Sequence, residues 1–267
     1  MASFSVVNNV GSLNAQAALE RTNQGLQKAL TRLSSGLRIN FSGDDAAGLS
    51  VANSYRADIA TLNQGVRNAN DGLSTLQIKD GALDNISNLI NRLSTLAAQA
   101  ASGGTSDASR VTLNTEFADV LAEITREATV AGLTTSAGFS VFVSNNGSNG
   151  KISSTIGAVT TTTLTLAGHV LTSQALAESA VASVASAVTV LGTTQGTIGS
   201  LQNRLQFAIS LGQTQVVSNQ AAESRIRDAN IAEEAANLTK FSILNQSGIA
   251  SLAQANNAIG SVLALLG

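Results

Sequence analysis

Histidine occurs once in this chain, at His169, and cysteine not at all. A Ser-His-Asp or Cys-His arrangement needs an imidazole beside its nucleophile, and a zinc site draws several nitrogen, sulfur or carboxylate ligands together. One histidine next to Gly168 satisfies neither and reads as a surface or turn residue. Without cysteine, disulfides and thiolate metal sites are excluded and the redox compartment is left open. Asp44 and Asp45 could be imagined as a carboxylate pair or a cation site, but adjacent residues on a helix do not face each other. Ahead of a helical pattern they read as capping residues, favoured by the positive end of the helix dipole. The glycines lack a phosphate-cradle spacing. The chemistry that is absent argues against an enzyme, and no cofactor or metal is expected.

Three polar groupings remain. Arg225, Arg227, Asp228, Glu233 and Glu234 form the densest charge cluster, readable as a solvated helix face or as ion pairs at a junction between domains or subunits. Asn146-Gly147-Ser148 is an N-glycosylation sequon by pattern, and Thr160, Thr161, Thr162 and Thr163 form a hydroxyl run. These exposed turn positions are favoured for glycans over Asn85-Ile86-Ser87, Asn237-Leu238-Thr239 and Asn245-Gln246-Ser247, which fall in segments expected to pack.

Composition says what elements hold these residues. A formal charge of −2 argues against a nucleic-acid partner. Proline, which breaks helix interiors, is absent where average usage of about 5% would give roughly a dozen. With 3% aromatics the core must come mainly from Leu, Ile, Val and Ala, which suits long helices in close contact. Both ends are uncharged: the first ionisable side chain is Glu20 and none follows Lys240. Neutral, apolar-patterned ends look like surfaces meant for burial, yet Gln246, Gln254, Asn256 and Asn257 make the tail a poor membrane span. The stretch Met1 to Asn8 has no basic start and no sustained apolar run, so it does not read as a secretory signal peptide.

Leu19, Leu26, Leu30, Leu33 and Leu37 follow a heptad seam interrupted at Asn23. In the tail Leu238, Leu252, Ile259 and Leu266 share one heptad position with Asn245, while Phe241, Gly248, Ala255 and Val262 share the other. Neither stripe has a partner within its own segment, so the two ends are expected to bury them against each other, antiparallel or splayed. A long helix is expected over 45–102, its three-four rhythm shifting at Lys79-Asp80-Gly81, and further helices over 106–129 and 173–222. Between them, 132–168 is rich in Gly, Ser, Thr and Val and reads as one or two β-hairpins with Asn-Gly turns. The fold class is mainly α: long helices in a coiled-coil bundle with a small β insert and paired terminal helices.

Leu33-Ser34-Ser35-Gly36-Leu37-Arg38-Ile39-Asn40 with Gly43-Asp44-Asp45-Ala46-Ala47-Gly48-Leu49 resembles bacterial flagellin at the junction of its inner and outer core domains. So do Gly199-Ser200-Leu201-Gln202-Asn203-Arg204-Leu205, Ser224-Arg225-Ile226-Arg227-Asp228-Ala229-Asn230 and the segments Leu252 to Asn256 and Val262 to Leu266. The resemblance covers about 1–130 and 173–267 but not the β segment. It implies an inner domain from 1–44 and 227–267, an outer core domain from 45–226, and no variable outer domains: a minimal flagellin.

By function, the resemblance implies a structural subunit that polymerises into an extracellular flagellar filament for swimming motility. It also implies export through the flagellar type III apparatus without a cleaved signal peptide, with an export chaperone and junction and cap proteins as partners. The alternatives are a hook–filament junction protein and a non-flagellar secreted coiled-coil binding module. The surface recognised by the vertebrate Toll-like flagellin receptor maps by similarity to Arg92, Leu96 and Glu116. Ser94 and Thr95 stand where receptor-activating relatives carry charges, so weak recognition is expected.

Overall fold

The computed structural model describes residues 8–266, with side chains throughout that range except at 148 and 259–266. Five helices and one hairpin follow in the order α1 (Val10–Ser35), α2 (Ala46–Ala101), α3 (Asp107–Val130), β1 (Ala137–Phe142), β2 (Lys151–Ile156), α4 (Gln174–Arg227) and α5 (Ile231–Leu266). Each helix start has a short polar side chain bonded to a free amide of the first turn. Asn9 caps α1, Asp45 caps α2, Ser106 caps α3, Ser173 caps α4 and Asn230 caps α5.

The chain divides into two compact units, Asp58–Val217 and Met1–Ala57 with Ser218–Gly267. The second unit extends past the 1–44 and 227–267 limits expected from sequence, because it includes the first turns of α2 and the last turns of α4, which Arg56 and Glu223 join by an ion pair of 3.5 Å.

In the unit Asp58–Val217, α2 buries Leu62, Ala69, Leu76, Leu83, Ile90 and Ala97, seven residues apart throughout. This position runs unbroken through Lys79-Asp80-Gly81. The companion position does not shift in burial either: it holds Gly65 and Gly72 before the expected break and Ile86, Leu93 and Ala100 after it, and the rhythm read from the sequence moves only because Val66 and Leu73 stand beside two glycines. On α4 the buried line Ala177, Ala180, Val184, Ala187, Leu191, Thr194, Ile198, Leu201 and Leu205 keeps a strict three-four alternation, so Gly192, Gly196 and Gly199 do not interrupt it. By length and composition α4 is apolar enough to cross a membrane, but its seam residues lie in this core with Phe117 and Ile124 of α3. Two helix C-termini are closed by cations reaching in from elsewhere, which satisfies carbonyls that a helix cannot bond itself. Arg110, 7% exposed, donates to the carbonyls of Ala100 at 2.9 Å and Ser102 at 3.0 Å beyond α2. Lys79 Nζ donates to those of Ala131 at 2.9 Å and Gly132 at 3.1 Å beyond α3, and burial holds its pKa below the ordinary value.

The β segment is one antiparallel hairpin with Ala137 opposite Ile156 and Phe142 opposite Lys151. Its connection is longer than the two-residue turn that Asn-Gly suggests: Val143 N donates to Gly150 O at 2.7 Å and a 3-10 turn covers Gly147–Gly150. Of the one or two hairpins expected over 132–168, one forms, and extension ends at Ile156. Thr160 N donates to the Thr163 hydroxyl at 2.8 Å and Thr163 N to the Thr160 hydroxyl at 3.2 Å, a local alternative to a strand ladder. The hairpin lies close on α2: a Cβ added at Gly65 would sit 1.7 Å from the Val143 carbonyl oxygen, and Asn68 Nδ2 donates to the Phe142 carbonyl at 3.2 Å.

Gly65→Ala should therefore lower stability by about 1–3 kcal/mol, the usual range for overpacking. Gly81→Ala, with nothing within 4 Å of the added carbon, should raise it by roughly 0.5–1 kcal/mol. Urea denaturation of the two variants checks both signs.

Candidate assembly interface

In the unit Met1–Ala57 with Ser218–Gly267, α1 and α5 pair antiparallel. Contacts step up one helix as they step down the other: Asn9 Nδ2 donates to Ala255 O at 3.1 Å, Leu19 lies against Gly248, Asn23 bonds Asn245, Phe241 covers Gly25, and Arg32 Nη1 bonds Glu234 Oε1 at 3.0 Å. Large side chains lie on missing ones. A Cβ on Gly25 would stand 2.6 Å from the Phe241 ring, and one on Gly248 would stand 3.0 Å from Leu19 Cδ1.

The α5 half of the expected seam faces α1 as far as it is described: Leu238, Phe241, Asn245, Gly248, Leu252 and Ala255 are partly buried. Ile259, Val262 and Leu266 lie outside the residues whose side chains are described. On α1, Leu19, Leu26 and Leu33 are half-buried at one heptad position. The other position is held by Ala15, Thr22 and the buried Ala29, which leucine counting passes over. Leu30 belongs outside the seam: one residue past Ala29 it turns outward and is 57% exposed. Leu37 belongs outside the helix, because Gly36, at φ 71°, ends α1 with its amide bonded to Arg32 O.

Leu37 instead pairs with Asp228 in an antiparallel bridge between the two linkers. Arg38 N donates to Arg227 O at 2.6 Å and Ala229 N to Gly36 O at 2.9 Å. Side chains reinforce the crossing: Arg38 Nη2 donates to Ile226 O at 2.9 Å and Arg227 Nε to Ile39 O at 3.4 Å. Three members of the charge cluster thus hold a junction: Asp228 through its backbone bridge, Arg227 by bracing the linkers, and Glu234, 8% exposed, by taking Arg32. Arg225 and Glu233 remain on the surface.

Beside this junction Gln24, Lys28, Arg32, Asn40, Phe41 and Asp44 line a pocket. Lys28 Nζ lies 2.8 Å from Asp44 Oδ1, so its most exposed cation is already neutralised. That hydrogen bond, aided by the Asn40 amide, holds the Asp44 carboxyl below its ordinary value of 3.8. Among the described residues no group of three or more His, Asp or Glu side chains is placed to hold a metal.

The remaining sequence-read positions lie in the other unit. Arg92 and Glu116 meet across α2 and α3, Arg92 Nε donating to Glu116 Oε1 at 2.8 Å. Leu96, 1% exposed, is a core residue and presents no surface to a receptor, because it occupies the α2 face that packs inward. Asn146 lies exposed in the hairpin loop. The Thr160 and Thr163 hydroxyls are engaged with each other's backbone, and Thr161 and Thr162 are the central residues of that turn. His169 Nε2 stands 2.9 Å from the Ser183 hydroxyl, which also bonds Ser179 O at 3.1 Å.

Off the seam the paired helices carry Val10, Leu13, Leu30, Ile243 and Ile249, all more than half exposed. A helical pair made of both chain ends, with apolar residues left on its outside, defines a structural subunit with a surface suited to further association. Likeness to known proteins gives the family. Residues 6–140 match the bacterial flagellin N-terminal helical region and residues 181–266 the bacterial flagellin C-terminal helical region. The chain is 35% identical to a flagellin of Halalkalibacterium halodurans, over 97% of this chain and 98% of that one. It is 36% identical, with the same coverage, to the flagellar filament 33 kDa core protein of Treponema phagedenis. A crystal structure of Bacillus cereus flagellin aligns with a TM-score of 0.48 at 28% identity, over 54% of this chain and 88% of that one. The chain belongs to the bacterial flagellin family and is a structural subunit of the flagellar filament.

The Lys28–Asp44 contact is testable by titration. A carboxyl whose folded pKa is lowered contributes stability that is complete above its unfolded value of 3.8 and is lost as pH falls through the folded one. Lys28→Met should move the Asp44 carboxyl titration upward by NMR and flatten the acid limb of the stability curve. An unchanged titration would remove Lys28 as the cause.

Proposed function

We propose that the α1–α5 pair divides its labour: the seam holds the chain ends together, and the outer faces join one subunit to the next in an open helical array. The observation that carries this reading is the set of aliphatic side chains left on the outside of an already paired helix, Leu30 at 57% and Ile243 at 61% exposed. Each such side chain contributes about 1.5–3 kcal/mol when fully buried. Contacts between unlike faces that do not close into a ring generate filaments. The absence of charge after Lys240 suits a tail that ends up surrounded by other tails.

Passage through the flagellar type III apparatus, served by an export chaperone, fits a chain without cysteine, whose unfolding and refolding need no disulfide chemistry. Junction and cap proteins would then meet the same helical ends. Recognition by the Toll-like flagellin receptor is expected to be weak: Ser94 and Thr95 offer no charge, Leu96 is buried, and Arg92 is engaged with Glu116.

Two substitutions separate seam from surface. Leu30→Asp should leave helix content and melting close to those of the parent protein while abolishing filament growth. Leu33→Asp places a carboxylate in the seam, at a cost of several kcal/mol, and should lose both the pair and the filament. Circular dichroism and electron microscopy after seeding read the two effects. Filaments of normal length from Leu30→Asp would sink the division.

A further inference from the structure

Asn-Gly occurs twice in the chain, at Asn146-Gly147 and Asn149-Gly150, both inside the loop that joins β1 to β2. An asparagine side-chain amide is an internal electrophile for the backbone nitrogen of the next residue, and glycine shields that nitrogen least. Every other asparagine precedes a bulkier residue, and most lie in helices, where that nitrogen is committed to a carbonyl four residues back.

The two dipeptides are held differently. Asn146 is exposed and makes no side-chain capping bond. Gly147 is exposed at φ 54°, with nothing within 4 Å of the position a Cβ would take. The turn is closed over Asn146 by a bond of 3.1 Å from Asn149 N to Asn146 O, which leaves the Gly147 nitrogen outside it. Gly150, by contrast, is buried, and a Cβ there would lie 1.9 Å from the Ser144 carbonyl oxygen. Its carbonyl accepts from Val143 N at 2.7 Å and Ser144 N at 3.2 Å, so turning the Asn149–Gly150 peptide disturbs the closure of the hairpin.

We propose that Asn146 is a site of spontaneous deamidation, reacting well ahead of Asn149. Hydroxide takes the proton from the Gly147 backbone nitrogen, which attacks Asn146 Cγ. The new N–C bond closes a five-membered succinimide as the Cγ–Nδ2 bond breaks, and Nδ2 takes a proton from water and leaves as ammonia. Water then adds to either ring carbonyl, and the ring opens to aspartate or isoaspartate. No oxidant or reductant is needed. Each event adds one negative charge to a chain of formal charge −2 and consumes the side-chain nitrogen that the Asn146-Gly147-Ser148 sequon would offer to a glycan. The loop thereby records the age of the chain.

The full chain, incubated at neutral and mildly alkaline pH, tests this by peptide mapping with mass spectrometry and by enzymatic methylation of isoaspartate. Asn146 should convert about tenfold faster than Asn149, corresponding to roughly 1.4 kcal/mol, and both rates should rise with pH. In urea-unfolded protein the two rates should converge, and Asn146→Gln, whose longer side chain disfavours ring closure, should lose most of the isoaspartate. Equal rates in the folded protein would overturn the assignment. So would the same ratio in urea, which would place the difference in the sequence and not in the fold, or no conversion at Asn146 where unfolded chain converts.

Discussion

The antiparallel seam between α1 and α5 is the constraint on which the assembly surface depends. It is built by matching bulk to vacancy, Phe241 over Gly25 and Leu19 against Gly248, and not by a row of leucines meeting leucines. Such fits allow close approach of two backbones and admit few alternative registers, because a slip by one turn places a ring against a Cβ. Polar pairs at Asn9–Ala255, Asn23–Asn245 and Arg32–Glu234 repeat the same register along the pair. A slip would cost most at Arg32–Glu234, where Glu234 is buried and would lose its partner. The exposed aliphatics keep a fixed arrangement because the seam beneath them is fixed.

Charge serves a different purpose from the apolar seam. Arg38, Arg227, Lys79 and Arg110 all donate to backbone carbonyls at or beside helix ends. These bonds tie turns and linkers, where backbone groups have no ladder of their own. Charged residues are few, and these four each close an otherwise open site.

Much of this is legible from the sequence because it is periodic. Helix extents, the α5 seam as far as Ala255 and the capping role of Asp45 follow from spacing and residue type alone. Misplaced positions have a common cause in counting only large apolar residues. Ala15, Thr22 and Ala29 give no hydrophobic signal, so leucine spacing draws the α1 stripe through Leu30 and Leu37, although the heptad passes one residue earlier at Ala29 and the helix ends before Leu37. Likeness to relatives carries Leu96 to the surface, while the packing of α2 turns it inward. Arg110, Lys79 and the Leu37–Asp228 bridge depend on partners distant in space or in sequence, and no local pattern announces them. The same holds for the hairpin loop, closed by Val143 and Gly150 seven residues apart.

The division of the chain also dictates an order of events. Asp58–Val217 is continuous, so its helices and hairpin can close as soon as that stretch is available. The other unit joins Met1–Ala57 to Ser218–Gly267, two segments far apart along the polypeptide. Its loop-closure entropy is smallest once the intervening residues have already folded and drawn the two segments near each other. A chain emerging from its N-terminus therefore keeps α1 unpartnered until α5 appears, and the two helices wait on the last residues made.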